Sequence, residues 1–253
     1  MTAQSSLLSG KRRSLQQDGS ASVRTFLKGG QKTKTPRFKP KASALQGLNG
    51  EFAKRLFDIA FSLLILILFS PVYLVLTLLI AFSSQGPIFY IQERVGKNYK
   101  PFNCIKFRTM VSNADEVLMQ MMETSPELRQ EFEDSFKLKH DPRITKIGRF
   151  LRITSLDEFP QFWNVLKGDM SVVGPRPLVE EELPKYGSAI EQILTIRPGI
   201  TGLWQVSGRN DIPYPRRVQI DLHYVKFGNM WLDLWIVLKT VGVVIIPKDN
   251  GAY

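Results

Sequence analysis

Cysteine and histidine are scarce in these 253 residues: one Cys, at position 104, and two His, at 140 and 223. A single thiol excludes an internal disulfide and a thiolate zinc site. Two imidazoles so far apart in sequence argue against a histidine-built transition-metal centre. Acid–base work would then fall to carboxylates, and a required metal would be an oxygen-preferring ion such as Mg2+. Acid is also scarce in residues 1–50, where ten Lys/Arg face Asp18 alone, while the remainder carries 24 basic and 22 acidic side chains. Of the net charge of +11, +9 therefore sits in the N-terminal arm. A nucleic-acid binder needs its basic surface on the folded part. That part is nearly neutral, so nucleic acid is not an expected partner.

The arm, 1–50, is rich in Ser, Gln, Gly, Lys and Pro and reads as a disordered cationic segment. Anionic lipid headgroups would attract it at about 1 kcal/mol per basic residue near the surface; a merely solvated tail is the alternative. Charge then vanishes from Ile59 to Phe82, 24 residues that as a straight helix would run about 36 Å, enough to cross a bilayer. The run is too long for a signal-peptide core. Within it, Ser70-Pro71 predicts a kink, because proline deletes one helix hydrogen bond and the serine hydroxyl can serve a freed carbonyl. Lys/Arg flank both ends, and basic flanks favour the cytoplasm. Residues 51–86 are therefore expected to form a re-entrant hairpin rather than a single span, with 87–253 as a folded domain on the cytoplasmic side.

The apolar and aromatic runs 88–95 and 101–108, around Gly96-Lys97-Asn98, predict a β-hairpin. Residues 112–138 read as helix broken at Ser125-Pro126. The stretch 230–246, with Trp231 and Trp235 but interrupted by Asp233 and Lys239, suits an interfacial or core helix better than a second span. The expected class is α+β, mainly helical, with a short β-hairpin and interfacial amphipathic helices.

Polar residues concentrate at 141–177. Ser155-Leu156-Asp157-Glu158 matches a capping box, which would give both acids a structural job at the start of a helix. Pro160 fits that scheme poorly, since its missing N–H would fall inside the helix. A carboxylate at a helix N-terminus is equally suited to act as nucleophile or metal ligand, with Arg149, Arg152 and Arg176 as cations for a phosphoryl group. Gly174-Pro175-Arg176-Pro177 either aims one arginine or is an ordinary turn. Residues 197–210, RPGITGLWQVSGRN, either meet a nucleotide diphosphate or are a loop-rich piece of core; they form neither a Walker loop nor a GxGxxG fingerprint.

Taken together, KRLFDIAFSLL (54–64), Ser70-Pro71, IKFRTM (105–110), DPRIT (141–145), LRITSLDEFPQFWNVLKGDMSVVGPRP (151–177), RPGITGLWQVSGRND (197–211) and DLHYV (221–225) resemble the monotopic phosphoglycosyl transferases, or bacterial sugar transferases. The resemblance covers 52–253. The EEEL–KYG region (180–187), VSGRND and the Gly-Ala-Tyr end look most like the exopolysaccharide-initiating undecaprenyl-phosphate galactose/glucose phosphotransferases.

That resemblance implies transfer of hexose 1-phosphate from a UDP-hexose to undecaprenyl phosphate, with release of UMP. It implies a phosphosugar intermediate on Asp157, assistance from Glu158, and Mg2+ held by Asp157 and Glu158. Lys106, Arg152 and Arg176 match positions around phosphate. Arg197, Gln205 and Arg209 match the nucleotide side, and Asp221 a further acid of open role. A homodimer stays open. The reading from another class is a membrane-anchored cationic scaffold without catalysis, which the polar cluster far from the arm opposes.

Overall fold

The computed structural model describes residues 48–135, 138–208 and 212–245. Arg209, the C-terminal Gly-Ala-Tyr and the arm up to residue 47 lie outside them. The helices are α1 (Leu48–Leu68), α2 (Ser70–Ser83), α3 (Ala114–Thr124), α4 (Pro126–Ser135), α5 (Lys146–Thr154), α6 (Gln161–Lys167), α7 (Leu183–Tyr186), α8 (Ile190–Ile193), α9 (Tyr214–Phe227) and α10 (Met230–Ile245). The strands are β1 (Phe89–Val95), β2 (Pro101–Phe107), β3 (Ser171–Val173) and β4 (Gly199–Thr201). The fold is a mostly helical α+β arrangement.

Between α1 and α2 the chain bends by 63°. Pro71 lies in the first turn of α2, where a missing N–H is tolerated. It leaves the Ile67 carbonyl without its usual donor, and the Ser70 hydroxyl donates to that oxygen at 2.8 Å. No single described helix is long and apolar enough to cross a membrane, but the bent pair passes by length and composition. One side of the pair is exposed and largely apolar, including Leu64, Ile67, Leu68, Leu74, Leu78 and Phe82. Such a patch marks an interaction surface. The other side packs Phe57, Phe61 and Ile65 on the main core, whose centre is Val165, Met170, Val173, Tyr224 and Ile236. Arg55, also on α1, donates to the Val165 and Leu166 carbonyls at 2.6 and 2.8 Å, satisfying the C-terminal end of α6.

β1 and β2 form the expected antiparallel hairpin, in register from Val95↔Pro101 to Phe89↔Phe107. Its loop puts Asn98 and Tyr99 at positive φ. A second sheet was not expected from sequence: β3 pairs in parallel with β4, Ser171 opposite Gly199 and Val173 opposite Thr201. The two backbones run so close that a Cβ at Gly174 would strike the Arg197 carbonyl. Helix α10 is half core and half surface, with Asp233 and Ile236 fully buried but Trp231 82% exposed.

Residues 110–144 make a separate compact unit. Its helices α3 and α4 break at Ser125, as the Ser-Pro pair predicts. Its buried Asp141 is gripped by Arg143 through two bonds, Nε to Oδ1 at 2.8 Å and Nη2 to Oδ2 at 2.6 Å.

Candidate active site

Helix α5 starts on Thr145, whose hydroxyl accepts from the Gly148 N–H, and ends at Ser155 in the left-handed conformation (φ 58, ψ 17). The Ser155 N–H closes that end on the Leu151 and Arg152 carbonyls. One 3-10 turn, Leu156–Glu158, follows, and α6 begins after Pro160. This corrects the capping-box expectation. Ser155 is the C-cap of the helix before, its side chain caps nothing, and the acids precede α6 instead of opening it. Proline decides this: it cannot donate inside a helix but is well suited to the residue before one. The Tyr73 hydroxyl, from α2, holds the corner by donating to the Phe159 carbonyl at 2.5 Å. Phe69 packs edge-on against the Phe159 ring.

Two cations converge on Glu158. Lys106, from β2, places Nζ 2.7 Å from Oε1, and an Arg176 guanidinium nitrogen lies 3.5 Å from the same oxygen. Arg176 is aimed by a fixed backbone, since Gly174 N–H donates to Thr201 O and Gly199 N–H to Pro175 O. Arg152 donates through Nε to the Thr109 hydroxyl at 3.0 Å. Asp157 forms no ion pair among the described residues.

Electrostatics separate the two acids. Burial alone would raise Glu158, but Lys106 and Arg176 overturn it and hold this carboxyl well below the usual range. Burial also raises Asp157; Lys106, Arg152 and Arg176 oppose that, the Glu158 charge adds to it, and the net shift is upward. Burial thus governs the ionisation of Asp157, and the flanking cations govern that of Glu158.

The structure thus brings together Asp157, Glu158, Lys106, Arg152 and Arg176. Arg197 Nε donates to the Gly168 carbonyl at 2.8 Å and Gln205 Nε2 to the Ile200 carbonyl at 3.2 Å. Two residues that sequence reasoning passed over, Arg94 and Glu182, stand behind Arg176. Arg94 donates to the Pro177 carbonyl at 3.1 Å and lies 3.7 Å from Glu182; its charge also acts on Glu158. The signal was present in the hairpin alternation: Tyr90 faces Lys106 and Arg94 faces Phe102, so Arg94 shares a face with Lys106.

Asp221 is buried on α9 and accepts from the Tyr186 hydroxyl at 3.1 Å. Burial pushes its carboxyl from 3.8 up to about 7. Between those values the folded protein keeps a proton that the unfolded chain loses, so stability should fall as pH rises through that window. One such group gives a slope of at most about 1.4 kcal/mol per pH unit. Denaturant titrations of Asp221→Asn across this range should show a flatter pH dependence than wild type; an identical slope would rule out Asp221 as its source.

No group of three or more Cys, His, Asp or Glu able to hold a metal occurs among the described residues. Two adjacent carboxylates still fit Mg2+, which commonly takes one or two protein carboxylates and completes its shell with substrate phosphates and water.

The bacterial sugar transferase family profile matches residues 49–247. The undecaprenyl-phosphate galactose phosphotransferase of Salmonella typhimurium is 50% identical over 205 residues, 81% of this chain and 42% of that protein. Exopolysaccharide production protein ExoY of Rhizobium meliloti is 44% identical over 216 residues, 85% of this chain and 96% of that protein. The UDP-glucose:undecaprenyl-phosphate glucose-1-phosphate transferase of Klebsiella pneumoniae is 42% identical over 217 residues, 82% of this chain and 43% of that protein. The chain thus spans less than half the length of the galactose and glucose transferases, and nearly all of the ExoY protein.

Proposed function

Because the chain belongs to the bacterial sugar transferase family, we propose that it moves hexose 1-phosphate from a UDP-hexose to undecaprenyl phosphate, the opening step of exopolysaccharide synthesis. The observation that carries the residue assignment is the asymmetry of the acid pair. Glu158 is committed to Lys106 and Arg176, whereas its neighbour Asp157 keeps its carboxylate out of any ion pair among the described residues. Asp157 is the nucleophile. Its oxygen attacks the sugar-bearing phosphorus, the bond to the bridging oxygen breaks, and the electron pair leaves with UMP. The phosphate of the lipid then attacks the same phosphorus and returns the Asp157 carboxylate.

Lys106, Arg152 and Arg176 offset the charge that builds on the transferred group. Glu158, held between Lys106 and Arg176, orients these cations and assists by sharing a metal or by taking the lipid phosphate's proton. Mg2+, held by Asp157 and Glu158, would neutralise the diphosphate of the donor. Incubation with a UDP-hexose alone should release UMP and add a hexose-phosphate mass to the peptide containing residue 157. An adduct elsewhere, or donor consumption only when lipid is present, would end this reading.

The bent α1–α2 pair is assigned to one membrane leaflet as a re-entrant hairpin, with the catalytic residues at the cytoplasmic face of the inner membrane and the basic arm against anionic headgroups. Engineered cysteines at positions 40 and 100 should both react with an impermeant thiol reagent only from the cytoplasmic side. The native thiol at 104 is buried and should stay silent. Opposite exposure of the two sites would show a true span.

A further inference from the structure

We propose that Asp58, with the Lys54–Asp233–Tyr224 cluster, positions Arg176, so that the base of the apolar hairpin is a working part of the active site; the catalytic side of this rests on the function proposed above. β3 is a three-residue strand, and two of its backbone groups take their partners from side chains. The Val172 N–H donates to Asp58 Oδ1 at 2.9 Å, and the Ser171 hydroxyl donates to the same oxygen at 3.0 Å. The Val173 carbonyl lies 3.2 Å from the Tyr224 hydroxyl, which also donates to Asp233 Oδ1 at 2.7 Å. Lys54 closes the cluster, with Nζ 2.6 Å from Asp233 Oδ2 and 3.3 Å from the Tyr224 oxygen.

Asp58, Ser171, Tyr224 and Asp233 are all at least 98% buried. Removing one partner there leaves a buried donor unsatisfied, a cost that a shift of the strand would relieve. Beyond Val173 the chain runs through Gly174 and Pro175 to Arg176. Proline makes this stretch stiff, so a displaced strand is transmitted to the guanidinium instead of being absorbed by the loop. Lys54 and Asp58 both lie on α1, one turn apart. The same helical turns that enter the apolar hairpin therefore fix where Arg176 points.

The test uses the full chain in detergent or lipid. Asp58→Ala should lower kcat for UMP release about tenfold while KM for the donor moves much less. Asp58→Asn, which keeps the Oδ1 acceptor, should recover most of that loss. In an Arg176→Ala background, Asp58→Ala should cost less than about twofold further, because both changes remove one function. Hydrogen exchange in the peptide 171–177 should quicken in Asp58→Ala and not in Asp58→Asn. Additive losses in the double variant, or unchanged exchange in that peptide, would overturn the proposal. If Asp58→Ala does not fold, Tyr224→Phe removes only the hydroxyl and is judged by the same two measurements. Should the wild type release no UMP from any UDP-hexose, the functional reading fails, and the exchange experiment alone still decides whether Asp58 holds the strand.

Discussion

Replacing Asp157 by Asn is expected to lower UMP release from a UDP-hexose by about four orders of magnitude, with no phosphosugar adduct on the protein. The amide is nearly isosteric, so the corner between α5 and α6 should survive and circular dichroism should match wild type. What is lost is the charge and the bond-forming oxygen. A control sharpens the result. Glu158→Gln leaves the nucleophile in place but frees Lys106, which sits 2.7 Å from its oxygen, and should reduce the rate without moving the adduct. Donor-only UMP release at the wild-type rate in Asp157→Asn would refute the covalent role.

Arg176→Ala should cost about 3–4 kcal/mol of transition-state stabilisation, or roughly two to three orders of magnitude in kcat, by comparison with the loss of one oxyanion donor. Burial disfavours the Arg176 charge, but Glu158 and Glu182 more than restore it, so the guanidinium stays firmly protonated. Arg176→Lys keeps the charge and loses the planar fork, so its rate should fall between those of wild type and Arg176→Ala. A change in kcat below about threefold would reduce Arg176 to a turn residue.

Much of this arrangement can be read in the chain before folding, and what cannot has physical causes. The β1–β2 hairpin is legible because β-branched and aromatic residues flank a glycine turn. The bend at Ser70-Pro71 is legible because proline removes a specific hydrogen bond. The β3–β4 pair is not: each strand has three residues, they are distant in sequence, and β3 is completed by side chains from α1 and α9. Asp157, Glu158, Lys106, Arg152 and Arg176 stand together as the motifs suggest. Arg94 is not legible as a site residue, since charge is visible in a sequence while its target, the Pro177 carbonyl, is not. Ser155 misled in the opposite direction: the letters of a capping box were present, but a left-handed residue and a later proline gave them another job.

The grip of Arg55 on the Val165 and Leu166 carbonyls has a practical corollary for protein preparation. A shortened chain, trimmed of its greasy segment to gain solubility, would also discard the plug on the far end of α6, the helix whose near end follows Asp157 and Glu158. Solubilising variants are better sought by recolouring the outward apolar positions, such as Ile67 and Leu78, than by truncation.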